Sequence, residues 1–142
     1  SLAGHVKGLL SRPNLCEMRL EDTSAFTVGQ KHDVSVFNVG DNVAVVGTSK
    51  GRGYAGVVKR HHFHGSPATH GHKHDLRAPG SIGPTAPQRV FPGMRMAGRM
   101  GGEQVTVINQ KIALVDQEKG LLYVKGAVPG ARNSIVIIKG DN

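Results

Sequence analysis

The β-branched residues of this chain gather at its two ends, and the stretch between them has no hydrophobic period. Phe26-Thr27-Val28, Val34-Ser35-Val36-Phe37 and Val43-Ala44-Val45-Val46-Gly47-Thr48 lie on one side; Val105-Thr106-Val107-Ile108, Ile112-Ala113-Leu114-Val115, Leu121-Leu122-Tyr123-Val124 and Ile135-Val136-Ile137-Ile138 lie on the other. Each run is short and bounded by turn residues: Gly40-Asp41-Asn42, Asn109-Gln110-Lys111, Asp116 to Gly120, and Pro129-Gly130. Such runs predict strands joined by tight turns. The chain has no Trp, 2 Tyr and 4 Phe, so its core must be filled by Val, Ile and Leu, which again favours sheet. Short strands with turns about every 8–12 residues argue for a barrel or sandwich. Leu9 to Leu20 is ambiguous, because Pro13 and Asn14 interrupt any helical period and Met18-Arg19-Leu20 can begin a strand.

The middle of the chain is different in kind. Lys50, Arg52, Lys59, Arg60, Lys73, Arg77, Arg89, Arg95 and Arg99 stand there against one acid, Asp75, so the whole formal charge of +8 resides between Lys50 and Met100. The flanks balance. The same stretch holds six of the eight His and five of the seven Pro. Structureless segments of this length inside a compact domain are uncommon and usually functional or disordered. Here apolar anchors (Tyr54, Val57, Val58, Phe63, Ile82, Val90, Phe91, Met94, Met96, Met100) and clustered charge favour an arm that orders on a partner. Basic charge concentrated in one segment is the footprint of a polyanion-binding protein. The expected division is a core from residues 1–50 and 101–142, incomplete at its N-terminus, with residues 51–100 as an extended basic loop.

Other functions find less support. No run approaches the roughly 18 apolar residues of a membrane span, and Ser1-Leu2-Ala3-Gly4-His5 lacks the apolar region of a signal peptide, so a soluble chain with no membrane partner is expected. The sequence does not begin with Met, and what precedes Ser1 stays open. The single Cys16 excludes an internal disulfide, fits a reducing compartment and is expected to be a small buried hydrophobe. Gly51-Arg52-Gly53-Tyr54-Ala55-Gly56 matches Gly-x-Gly-x-x-Gly, but the β-branched, basic Val57-Val58-Lys59-Arg60 that follows is not expected to open the helix a dinucleotide site needs. Close backbone approach to phosphate is the better reading of these glycines.

His61-His62-Phe63-His64 and His70-Gly71-His72-Lys73-His74 invite a metal, yet structural zinc favours sites with Cys and the flanking cations repel a dication, so none is expected. These His suit stacking on bases or hydrogen bonding to ribose and phosphate. No nucleophile elbow appears, no Cys/His pair in a plausible context and no carboxylate pair in the basic segment, where Asp75 stands alone; no enzyme, cofactor or small-molecule substrate is expected. A His-rich metal-binding or nucleotide-binding enzyme is the alternative. Met94, Met96 and Met100 alternate with Arg95 and Arg99, which predicts an amphipathic strand whose Met face docks while its Arg side chains face phosphate.

Several blocks, in order along the chain, resemble a known family. They are Phe26-Thr27-Val28-Gly29-Gln30, the run from Gly47 to Arg60, Ala68-Thr69-His70-Gly71, Pro79-Gly80-Ser81-Ile82-Gly83, Met96-Ala97-Gly98-Arg99-Met100-Gly101 and the run from Val124 to Gly130. The family is the bacterial and organellar form of large-subunit ribosomal protein L three. The resemblance implies a translation-protein β-barrel on the subunit surface, with a long loop reaching through large-subunit rRNA toward the peptidyl transferase centre. It also implies an early role in subunit assembly, neighbouring large-subunit proteins as partners, and a ribosomal location in a bacterial cytoplasm or an organelle. The family normally carries a further N-terminal stretch, so this chain looks like its C-terminal two thirds or so.

Expected rRNA contacts are Lys50, Arg52, Lys59, Arg60, His61, His70, Lys73, Arg77, Arg89, Arg95 and Arg99. His61 stands where many bacterial members carry Trp. Ser81, Ile82, Gly83, Pro84, Thr85, Ala86 and Pro87 form the expected loop tip nearest the catalytic centre. Some members methylate a glutamine after Ser-Ile-Gly; Gln88 does not align with it, and no modification is carried over.

Overall fold

The computed structural model describes residues 14–19, 22, 24 and 26–140. Its centre is a four-stranded antiparallel sheet of β1 (Asn42–Thr48), β4 (Gln104–Asp116), β5 (Leu121–Lys125) and β6 (Val136–Gly140), in the order β5-β4-β1-β6. A two-stranded ribbon, β2 (Tyr54–Ala55) with β3 (Gly98–Arg99), and one helix, α1 (Val57–His61), stand between β1 and β4 in the chain. The molecule is mainly β, as expected, but among the described residues no sheet closes into a barrel. Four strands with β5 and β6 left as edges are too few to meet around a packed interior.

The β-branched run of β1 makes it the central strand. Val43 and Val45 are fully buried with Ile112 of β4, and Phe37, Val115, Leu122, Val124, Val136 and Ile138 pack against them. Burying one such aliphatic side chain contributes roughly 1.5–3 kcal/mol. Before β1, Val34–Val36 is a single 3₁₀ turn, where a strand was expected. It is followed by a turn in which the Asp41 carboxylate accepts from the Asn38 amide at 2.8 Å. The Gly40 amide then donates to Ile112 O at 2.8 Å and the Ile112 amide to Asp41 O at 3.0 Å, which ties the turn to β4 and lays Phe37 on the core. The expected strand at Phe26-Thr27-Val28 is likewise a turn, closed by the Gln30 amide on Thr27 O, with Val28 exposed. Asn14 to Arg19 has no regular structure; the rest of the ambiguous Leu9 to Leu20 stretch lies outside the described residues.

Two expected strands prove to be one. Asn109-Gln110-Lys111 does not turn the chain back; it is a bulge within the 13-residue β4. Val43 pairs with Gln110 and Val45 with Val107, so β4 carries one extra residue there, and Asn109 takes a left-handed φ of 57°. A second irregularity against β5 falls between Ile112 and Leu114. Asn is a turn residue because it tolerates that conformation, and a bulge uses the same property without reversing the chain.

Cross-strand pairing puts Val46, Leu114, Tyr123, Leu121 and Ile137 on the face opposite the core. Asn14, Leu15 and Cys16 run beside Val46, Ile135 and Ile137, lining a shallow cleft of about 360 Å³. Cys16 is exposed, against expectation, because the segment that carries it rests along the sheet rather than inside it. No helix among the described residues is long and apolar enough to cross a membrane.

Candidate nucleic-acid interface

The basic segment is rooted where β1 ends and β4 begins. Ser49 and Glu103 bridge the two by Ser49 N to Glu103 O at 2.9 Å and Glu103 N to Ser49 Oγ at 3.3 Å. One step further, Arg52 N donates to Met100 O at 2.8 Å and Met100 N to Gly53 O at 2.9 Å, and the ribbon β2–β3 continues the pairing. Gly101 is required at this root: it holds φ +73°, and a Cβ there would collide with the Lys50 carbonyl. Backbone bonds thus bring residues about fifty apart in sequence together. The segment leaves and returns through one backbone-bonded neck.

Above the neck, Gly56 opens α1, so the Gly-x-Gly-x-x-Gly run does lead into a helix, contrary to expectation. The helix is five residues long and has no side-chain cap. Val57 is buried, which outweighs its modest helix propensity, and Lys59, Arg60 and His61 occupy the last turn, where the helix dipole favours cations. His62, at φ 60°, ends it in the left-handed conformation.

Arg60 and His61 are engaged rather than free. Arg60 Nη1 donates to Met96 O at 2.7 Å and His61 Nε2 bonds to the same carbonyl at 3.1 Å. The Arg60 guanidinium also covers Gly98, where a Cβ would lie 2.8 Å from Nη1. The outgoing helix thereby clamps the returning chain. The expected Met strand reduces to Gly98–Arg99, and Met94 and Met96 are exposed rather than docked, because Met96 is held through its carbonyl. Of the supposed apolar anchors, Val57 alone is buried.

No helix or strand spans residues 62–97, but the segment is organised by turns. Ser66 N donates to Leu76 O at 3.0 Å, and Gly65 takes φ +74° with that same carbonyl where a Cβ would lie. Inside this sub-loop His70 takes φ 61°, and His72 Nδ1 pairs with Asp75 Oδ2 at 2.8 Å. The hydrogen bond from His72 holds the Asp75 carboxyl below its ordinary range. Further out, Ser81 Oγ donates to Gly83 O at 3.0 Å and the Arg89 guanidinium lies 5.6 Å from the centre of the Phe91 ring. Ser81 to Pro87, the expected tip, is exposed throughout.

Lys50, Arg52 and Arg99 therefore sit at the neck and Lys59 on the helix, while His70, Lys73, Arg77 and Arg89 lie on the turns and bends between and Arg95 on the irregular stretch before Met96, all exposed. Among the described residues the ion pairs are His72–Asp75 and Lys119–Asp116. None of the nine Lys and Arg between Lys50 and Arg99 has a carboxylate partner, and the segment's one acid is already taken by His72. His61, His62, His64, Asp75 and Arg95 share an open cleft of about 540 Å³. Among the described residues no three His, Cys, Asp or Glu converge as metal ligands. Chemically the arrangement offers cations, imidazoles and backbone amides to an extended anion.

The sequence profile of the family Ribosomal protein L3 matches residues 14–121. The chain belongs to the ribosomal protein L3 family. It is 56% identical over 133 residues to "Large ribosomal subunit protein uL3" of Clavibacter sepedonicus, an alignment covering 93% of this chain and 61% of that protein. The L3 relative of Leifsonia xyli subsp. xyli is 54% identical over 141 residues (96% and 64%), and that of Herpetosiphon aurantiacus 51% over 140 (96% and 66%). The chain thus spans a little under two thirds of the length of these L3 proteins. The profile match runs through β1, the neck, the whole basic segment and β4.

Proposed function

We propose that this chain is a structural, non-catalytic component of the large ribosomal subunit that binds large-subunit rRNA through residues 51–100, with residues 1–50 and 101–142 as the seat of that arm. The observation that carries this reading is the set of nine Lys and Arg without a carboxylate partner on a segment rooted by a backbone-bonded neck. Cations left unpaired within a protein are available to neutralise phosphates and release their counterions. Lys50, Arg52, Lys59 and Arg99 meet RNA at the neck; His70, Lys73, Arg77, Arg89 and Arg95 meet it further out. Arg60 and His61 turn one side toward Met96 and contribute what remains of their hydrogen-bonding capacity.

Recognition is of backbone and shape, because A-form grooves hide the base edges. Ser81 to Pro87 is the part of the arm directed toward the peptidyl transferase centre, with neighbouring large-subunit proteins around the seat and assembly of the subunit as the stage at which the arm is threaded. The relatives named above are bacterial large-subunit proteins, which supports a bacterial ribosome as its location.

The test replaces Lys73, Arg77, Arg89 and Arg95 by Gln together. All four are exposed and free of ion pairs, so the fold is retained. The slope of log affinity for large-subunit rRNA against log salt is expected to fall by roughly three, at about 0.7–0.9 for each phosphate that is no longer neutralised. An unchanged affinity and slope would overturn the proposal.

A further inference from the structure

We infer that Tyr54 is a stacking platform for a single unpaired RNA base at the neck of the arm, with Arg99 and Arg52 beside it for the flanking phosphates. The inference rests on the rRNA-binding reading above and adds to it a site and a ligand class: an unstacked nucleotide, not duplex RNA.

Tyr54 is 80% exposed although it lies within a strand, while its neighbour Ala55 is only 4% exposed. The ribbon has two faces. Ala55 and Gly98 pair on one, which Arg60 covers; Tyr54 and Arg99 pair directly on the other, and both are exposed. Residues opposite one another on an antiparallel pair project their side chains to the same side. Arg99 nevertheless does not cap the ring. Its guanidinium lies along Gly102, where a Cβ would stand 2.9 Å from Nη2. Among the described residues no aromatic ring or guanidinium stacks on Tyr54; the ring and cation pairs involve Phe26, His32, His61, Phe63, Arg89 and Phe91 instead.

An exposed tyrosine alone means little. This one is held by a backbone framework on both sides of it, through the Arg52–Met100 and Met100–Gly53 bonds and the β2–β3 pairing. It is also bordered by cations that have no acid partner. An open aromatic face on a backbone-paired ribbon, with unpaired arginines on the same short stretch, is an arrangement that binds single-stranded nucleic acid, because every base has a π-face and every linkage a charge. In an A-form duplex the bases already stack on one another, so the ring can receive only a base that is splayed out.

The chain supplies its own probe, since it has no Trp and Tyr54 and Tyr123 are its two tyrosines. In a Tyr123→Phe background, the remaining fluorescence reports Tyr54 alone. Titration with an oligoadenylate of about ten nucleotides is expected to quench it, and a blunt RNA duplex of the same length is not. Tyr54→Phe and Tyr54→Trp keep the affinity for oligoadenylate, whereas Tyr54→Ala lowers it about five- to hundred-fold with the salt slope unchanged. Arg99→Gln lowers both the affinity and, by about one, the slope.

Equal quenching by the duplex, or an oligoadenylate affinity for Tyr54→Ala equal to that of the parent, overturns the inference. So does protection of Tyr54 only when a second ribosomal protein is added. If the fourfold Gln variant loses rRNA affinity while Tyr54→Ala binds both RNAs normally, the stacking site fails and the arm stands; if the fourfold variant binds normally, the arm reading itself has failed.

Discussion

Asp75 is the one acid of the basic segment, and its geometry keeps it from pairing with any of the nine Lys and Arg there. Its carboxylate is hydrogen-bonded by His72 across three residues, within a sub-loop closed by Ser66 and Leu76, and it makes no ion pair with the Arg95 that lines the same cleft. The pairing lowers the Asp75 pKa, chiefly through the His72 hydrogen bond. A carboxyl whose folded pKa is depressed adds stability above its unfolded pKa, and that stability is lost as pH falls through the lowered value. The sub-loop is therefore expected to stay ordered down to about pH 4 and loosen below it. Carbon-detected NMR titration should place Asp75 below its ordinary 3.8, and His72→Ala should return it toward that value. An Asp75 that titrates identically in both proteins would refute the pairing. The bond was hidden in the sequence, where His72 read as one more imidazole in a cluster. The Arg60–Met96 bond was more deeply hidden, because it joins residues 36 apart through a carbonyl that carries no side-chain signature.

β4 shows how a correct local signal can be given the wrong larger meaning. Alternating aliphatics with Asn109-Gln110-Lys111 between them look like two strands and a hairpin, yet β4 runs straight through with an extra residue opposite β1. The distinction is testable at Asn109, which has φ 57°. Asn109→Gly should leave stability within about 0.5 kcal/mol or raise it, while Asn109→Val should cost about 1–2 kcal/mol, because a β-branched residue resists the left-handed region. Urea unfolding of the two variants decides it, and equal stabilities would mean that the bulge is absent. Strands β1, β5 and β6 were legible, since β-branched runs bounded by Gly, Asp and Pro leave few alternatives. Val34–Val36 was not, because the same β-branched run instead closes a 3₁₀ turn, with the Phe37 amide donating to Val34 O. Helix α1 was not either: burial of Val57 is a tertiary effect that propensity does not carry.

For the whole molecule the decisive quantity is surface. Among the described residues many large hydrophobics are exposed, Tyr54, Ile108, Leu114, Tyr123 and Ile137 among them. Among the described residues the fully buried aliphatics are Val43, Val45 and Ile112, so the sheet alone supplies a small hydrophobic contribution against the conformational entropy of the chain. The formal charge of +8, confined to that arm, adds self-repulsion. All three features are costs for the free chain, and on the rRNA-binding reading proposed above the ligand would remove them together, by covering surface, ordering the turns and neutralising the cations. Binding and stability must then be linked. An RNA ligand present at about a hundred times its Kd is expected to stabilise the fold by about 2.7 kcal/mol, raising Tm on the order of 10 °C. If the affinity comes from counterion release, as proposed, that increment should shrink linearly with log salt, while the Tm of the free protein rises slightly as salt screens the basic segment. Differential scanning fluorimetry across a salt series, with and without large-subunit rRNA, measures both trends in one experiment. An RNA-induced shift that does not depend on salt would show that the arm's charge is not what binds, and the small core would then have to be stabilised by a partner of another kind.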